Sequence, residues 1–91
     1  MSVKINIPPY LQAFSNNVEE VVEVNGSTVD GCLNQLVRQF PSTKKMLFAK
    51  NGELLNYVGI YINGKDAYPG ELAKPVKDGD ELHIIYMVGG G

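Results

Sequence analysis

The sequence predicts an α+β domain: one helix packed on one face of a mixed sheet of four to five strands. Three observations carry that expectation. Two pairs of β-rich segments flank one stretch with helical spacing, as in folds that segregate a helix to one sheet face. The last segment, at 82–88, is too apolar for an edge and belongs in the middle of the sheet. Its simplest pairing is parallel to the first segment, with the helix as the crossover that parallel strands require.

Taken in order, Val3, Ile5 and Ile7 alternate with Lys4 and Asn6, which makes 3–7 a half-buried strand. Pro8-Pro9 ends it, because proline donates no ladder hydrogen bond. Residues 10–17 read as a loop, with Ser15-Asn16-Asn17 as its turn. Residues 18–24 (VEEVVEV) form a second strand, antiparallel to the first, with Val22 and Val24 inward and Glu19 and Glu23 outward. Ser27 followed by Asp30 is a weak capping-box match. Val29, Cys32, Leu33, Leu36, Val37 and Phe40 then share one helical stripe, and Pro41 closes a helix over 28–40.

Residues 42–56 are less regular, with Met46, Leu47 and Phe48 docking a short turn against the core edge. In 57–62, Val58, Ile60 and Ile62 point inward. Asn63-Gly64 is the strongest short hairpin signal, because a type I′ turn needs positive φ at both central residues. A short return strand at 65–68 follows, then a loop at 69–76 with a helical turn near 71–74. Asp78-Gly79-Asp80 makes the turn into the last strand.

Composition narrows the function classes. Ninety-one residues make one domain, and an apolar fraction of 44% argues against disorder. A net charge of −2 leaves no basic footprint, so nucleic acid is not an expected partner, and Arg38, Lys44, Lys45 and Lys50 are scattered solvated cations. One cysteine permits neither an internal disulfide nor a cysteine-cluster metal site. Cys32 falls on the apolar helix stripe and is read as core. Asp78 and Asp80 are read as turn chemistry, because two acidic residues are an incomplete metal site. Tyr10, Tyr57 and Tyr68 are read as packing loops. No apolar run approaches the roughly 20 residues of a membrane span, so no membrane role and a cytoplasmic location are expected.

The sequence then runs Tyr86-Met87-Val88-Gly89-Gly90-Gly91, an apolar strand leading into three glycines. Without Cβ atoms these glycines add no width, and three extend to roughly 10 Å. Such a segment can thread a carboxylate through a narrow channel into another protein. It is equally the composition of an inert flexible end. The two readings stand level on the glycines alone.

The pattern Ile60-Tyr61-Ile62-Asn63-Gly64-Lys65-Asp66, then Asp78-Gly79-Asp80-Glu81-Leu82-His83-Ile84-Ile85, then the terminal glycines, resembles the β-grasp, ubiquitin-like sulfur carriers. That family includes the small subunit of molybdopterin synthase, the thiazole-synthesis carrier and the carrier of a cysteine-synthesis route. Strand 3–7 and helix 28–40 fit it more loosely. Two features depart from its pattern. This chain has three glycines where two are usual, and it has Tyr86-Met87-Val88 where molybdopterin-type carriers often have prolines.

The resemblance implies a β-grasp domain at 1–88 and a flexible glycine tail at 89–91, comprising Gly89, Gly90 and the acyl-bearing Gly91. It implies a carrier rather than an enzyme, with no catalytic residue, metal or bound cofactor of its own. An adenylating partner of the ubiquitin-activating type would use ATP on the Gly91 carboxylate. A persulfide sulfur donor would convert the product to a thiocarboxylate. A sulfur-accepting synthase would then consume it in molybdopterin, thiamin or cysteine biosynthesis. The alternative is a ubiquitin-like modifier joined to target lysines through the same glycine.

Period two places Leu82, Ile84 and Tyr86 on one face of the last strand and His83, Ile85 and Met87 on the other. With the first set toward the helix, Tyr61, His83, Ile85, Met87 and Val88 form a candidate partner-docking surface beside the tail. A dimer contact or ordinary surface apolarity is the competing reading of those residues.

Overall fold

The computed structural model describes residues 2–15 and 18–87. Five strands form one sheet: β1 (Ser2–Asn6), β2 (Val21–Asn25), β3 (Val58–Ile62), β4 (Lys65–Asp66) and β5 (Glu81–Tyr86). Their spatial order is β2-β1-β5-β3-β4. β1 pairs antiparallel with β2 and parallel with β5, while β5 and β4 both run antiparallel to β3. The last strand is central, as its apolar composition demands, and the architecture is the β-grasp expected from the resemblance.

The crossover between β2 and the rest of the sheet contains α2 (Val29–Gln39). Its stripe of Val29, Cys32, Leu33 and Leu36 is buried against Val3 and Ile5 of β1, Val22 and Val24 of β2, Ile60 of β3, and Leu82 and Ile84 of β5. Glu23 and Glu19 face solvent as alternation requires. Thr28, not Ser27, is the N-cap: its Oγ1 accepts a hydrogen bond from the Gly31 amide at 3.0 Å, satisfying one of the orphan donors of the first turn. Asp30 in the first turn and Arg38 in the last complement the helix dipole.

Several boundaries differ from the sequence expectation. The return strand expected at 65–68 is only the two residues of β4. The stretch read as a loop from Tyr10 contains a short helix, α1 (Pro9–Ala13), started by Pro9 at its first position and anchored by fully buried Leu11. β2 begins at Val21, although Val18 is still buried. Residues 41–47 form a 3₁₀ turn, Pro41–Thr43, running into α3 (Lys44–Leu47), which places Leu47 in the core. The turn residues Asn16 and Asn17, and residues 88–91, lie outside the described residues.

The Asn63-Gly64 hairpin has φ of 51° and 85°, the positive values its turn type needs. Asn63 also binds β3–β4 to the start of β5. Its Oδ1 accepts from the Glu81 amide and its Nδ2 donates to Asp80, both at 2.9 Å. The other Asp80 oxygen accepts from the Lys77 amide at 2.8 Å. Asp80 thus serves the turn. The Asn63 side chain first, then the Lys77 amide, hold its carboxyl below the usual range.

Candidate functional site

β5 is bonded on both sides, to β1 and β3, and the anchoring continues one residue past the strand. The Met87 amide donates to the Tyr57 carbonyl at 2.8 Å. The backbone is therefore fixed up to the residue before the segment 88–91. Gly89, Gly90 and Gly91, and Val88 of the expected docking surface, fall in that segment, outside the described residues.

The remaining expected docking residues share one face. Leu82 and Ile84 are buried under α2, whereas Ile85 and Met87 are 38% and 53% exposed on the open side of the sheet. His83 is the direct cross-strand partner of Tyr61, and Ile85 of Gly59. The open face divides along its length. Toward the start of β5, Lys4 lies between its cross-strand partners Glu23 and Glu81. Toward Met87 the surface turns apolar. His83 stands at the border. Its Nε2 is 3.9 Å from a Glu81 carboxylate oxygen and 3.5 Å from Asn6 Nδ2.

Two hollows share Ile85 and Met87. One, of about 590 Å³, is lined further by Pro8, Pro9, Tyr10, Tyr57 and Tyr86. The other, of about 300 Å³, lies over Gly59 and is lined by Tyr61, Asp66, Tyr68 and Glu71.

An aromatic cluster went unread in the sequence. Tyr86 packs edge-on against Tyr10 at 4.9 Å between ring centroids and lies 6.2 Å from Tyr57, while Tyr10 meets Phe14 at 5.0 Å. Tyr10 and Phe14 are neighbours across one helical turn of α1, but Tyr10, Tyr57 and Tyr86 come from separate segments of the chain, so no spacing rule links those three. The one local signal is Pro-Pro-Tyr immediately after a strand. The Tyr86 hydroxyl donates to the Met46 carbonyl at 2.8 Å. Burial, then the neighbouring Tyr57 and Tyr10, push its phenol far above the ordinary value, so it stays a donor.

Cys32 is buried, and burial raises its thiol above the ordinary value, the opposite of what a reactive cysteine needs. Among the described residues, no group of three or more His, Cys, Asp or Glu side chains could hold a metal ion. No helix among them is long and apolar enough to cross a membrane.

The ThiS family model matches residues 5–91, which includes the glycines. The sulfur carrier protein CysO of Mycobacterium tuberculosis is 29% identical over 94 aligned residues, covering all of both chains. Small archaeal modifier protein 1 of Haloferax volcanii is 35% identical over 71 residues, 77% of this chain and 78% of that one. In the crystal structure of the Amycolatopsis orientalis BexX/CysO complex, the matching chain superposes with a TM-score of 0.84 at 31% identity, over 98% of this chain and 99% of that one.

Proposed function

The chain belongs to the ThiS family, and from that premise we propose that it is a sulfur carrier whose Gly91 carboxylate is the site of chemistry. One observation supports this reading above the others. The family match runs through the glycines, and the strand feeding them is the central one, held up to Met87. A rigid mount followed by three residues without side chains is what delivers a carboxylate to a partner's active site.

A carboxylate resists acyl transfer because oxide is a poor leaving group. An adenylating partner joins the Gly91 carboxylate to the α-phosphate of ATP, releasing pyrophosphate and leaving a mixed anhydride. The outer sulfur of the donor persulfide attacks the acyl carbon and AMP departs with the bonding pair, leaving an acyl disulfide. A thiol of the donor system then attacks the donor-side sulfur, forming a disulfide there, and the S–S bond breaks with its electron pair leaving on the Gly91 thiocarboxylate. That soft nucleophile gives its sulfur to a metabolite on a synthase. The chain is a carrier and substrate in these steps, which we place in the cytoplasm; ATP binds to the partner. Tyr61, His83, Ile85 and Met87 dock the partner beside the tail. Similarity to a CysO crystallised with BexX supports protein partners of this kind.

The test is to incubate the protein with an adenylating enzyme of the same cell, ATP and a persulfide donor. The intact mass should rise by the difference between sulfur and oxygen, and deletion of Gly90-Gly91 should abolish the change. An unchanged mass alongside a charged control carrier rules the reading out. Ile85→Glu should weaken partner binding on the order of ten-fold, as changes at central interface residues do, with the circular dichroism spectrum unchanged. Unfolding of that variant would overturn its assignment to docking.

The similarity to small archaeal modifier protein 1 favours a second reading, conjugation of Gly91 to target lysines. Isopeptide-linked Gly91 on other cellular proteins, in place of a thiocarboxylate, would establish it.

A further inference from the structure

We propose that the hollow over Gly59 receives one arginine side chain from the protein that charges the tail. The inference rests on the docking-face reading above and names the chemistry of the partner's anchor. With no side chain at Gly59, opposite Ile85, the floor of the hollow is the sheet itself. Tyr61, Tyr68 and Met87 supply apolar and aromatic walls. Two carboxylates, Asp66 and Glu71, stand in the lining, and none of its residues is basic. Among the described residues, no ion pair neutralises either carboxylate; Asp66 Oδ1 accepts only the Tyr68 amide, at 2.9 Å.

Aromatic faces and unpaired carboxylates in one recess select a cation with a long apolar stem. Arginine fits better than lysine, because its planar guanidinium stacks on rings while its fork of donors meets carboxylate oxygens. A volume of about 300 Å³ is at the bottom of the range for small-molecule pockets, which suits a single side chain better than a cofactor. The other hollow has no charged lining residue and carries no such preference.

Asp66→Asn, Glu71→Gln and Gly59→Ala test the proposal. The first of these keeps a side-chain oxygen to accept from the Tyr68 amide. A Cβ on Gly59 would lie 3.7 Å from Met87 Cε and 3.8 Å from the Ile85 carbonyl, ordinary contact distances, so the domain should fold with unchanged or raised Tm while the hollow shrinks. In the charging reaction, each lost carboxylate should raise the apparent KM for the carrier about two- to five-fold with kcat unchanged, and the effect should fade as salt rises. Gly59→Ala should raise KM without lowering Tm. Wild-type charging with the same KM for all three variants defeats the anchor and leaves the carrier function standing.

A titration of the isotope-labelled full chain needs no partner. N-acetyl-arginine methylamide should shift the amides of Gly59, Tyr61, Asp66 and Tyr68, and the shifts should weaken in Asp66→Asn. An equal response to N-acetyl-norleucine methylamide, or to the lysine derivative, or no localised response, overturns the arginine assignment even if the carrier reading itself has failed.

Discussion

Gly26 sits where the chain leaving β2 passes the first turn of α2. A Cβ there would lie 2.8 Å from Cys32 Sγ, 3.0 Å from its amide nitrogen and 3.2 Å from the Gly31 carbonyl carbon. Two of those are backbone atoms and cannot swing away. Gly26→Ala should cost about 1–3 kcal/mol in urea unfolding, the range for overpacking a tight site. Asp80 gives a pH-dependent prediction. Its folded-state pKa lies below its unfolded value, so its contribution is fully present above about pH 4 and is lost as pH falls through the folded value. Asp80→Ala should therefore lower Tm at neutral pH, with the gap from wild type narrowing in acid. Sequence identifies Asp80 and Asn63 as turn residues but not their mutual bond, because they are 17 positions apart and only β3–β5 pairing brings them together. The helix cap escapes sequence reading for a smaller reason. Thr28 carries a hydroxyl equivalent to that of Ser27 one residue later, and the choice depends on backbone angles that residue type does not specify.

Strands whose apolar residues alternate declare themselves, and so does a helix of eleven residues with a clear stripe. β1 and α2 are legible for that reason, as is the facing of β5. α1 is not. Five residues are too few to show a period, and Pro8 offers no side-chain cap; the helix exists because Leu11 is buried in the core. The glycine positions are legible, but their structure lies outside the described residues. Packing within elements yields two expectations. Leu33→Ala, removing a fully buried side chain under the sheet, should cost about 2–5 kcal/mol by chemical denaturation. Tyr86→Phe, which strips the Met46 carbonyl of its donor, should cost about 0.5–1.5 kcal/mol. Because Tyr86 is the last residue of β5 and its hydroxyl ties that end of the strand to the Met46 carbonyl, the same variant should loosen the neighbouring Met87, seen as faster exchange of its amide.

Across the whole molecule, the sheet has a protected centre and weak margins. β5 is laddered on both sides, to β1 and β3, whereas β4 contributes two residues and α1 five. Native-state hydrogen exchange should show β5 amides opening only with global unfolding, and β4 and α1 opening earlier. Equal protection throughout would contradict that gradient. The parallel pairing of β1 with β5 has a mechanical consequence as well. Tension applied between the N-terminal side of β1 and the C-terminal side of β5 acts along both strands, so it shears their shared ladder at once instead of unzipping it bond by bond. A motor hauling on the glycine end would meet its greatest resistance at the first step, before any part of the body had yielded.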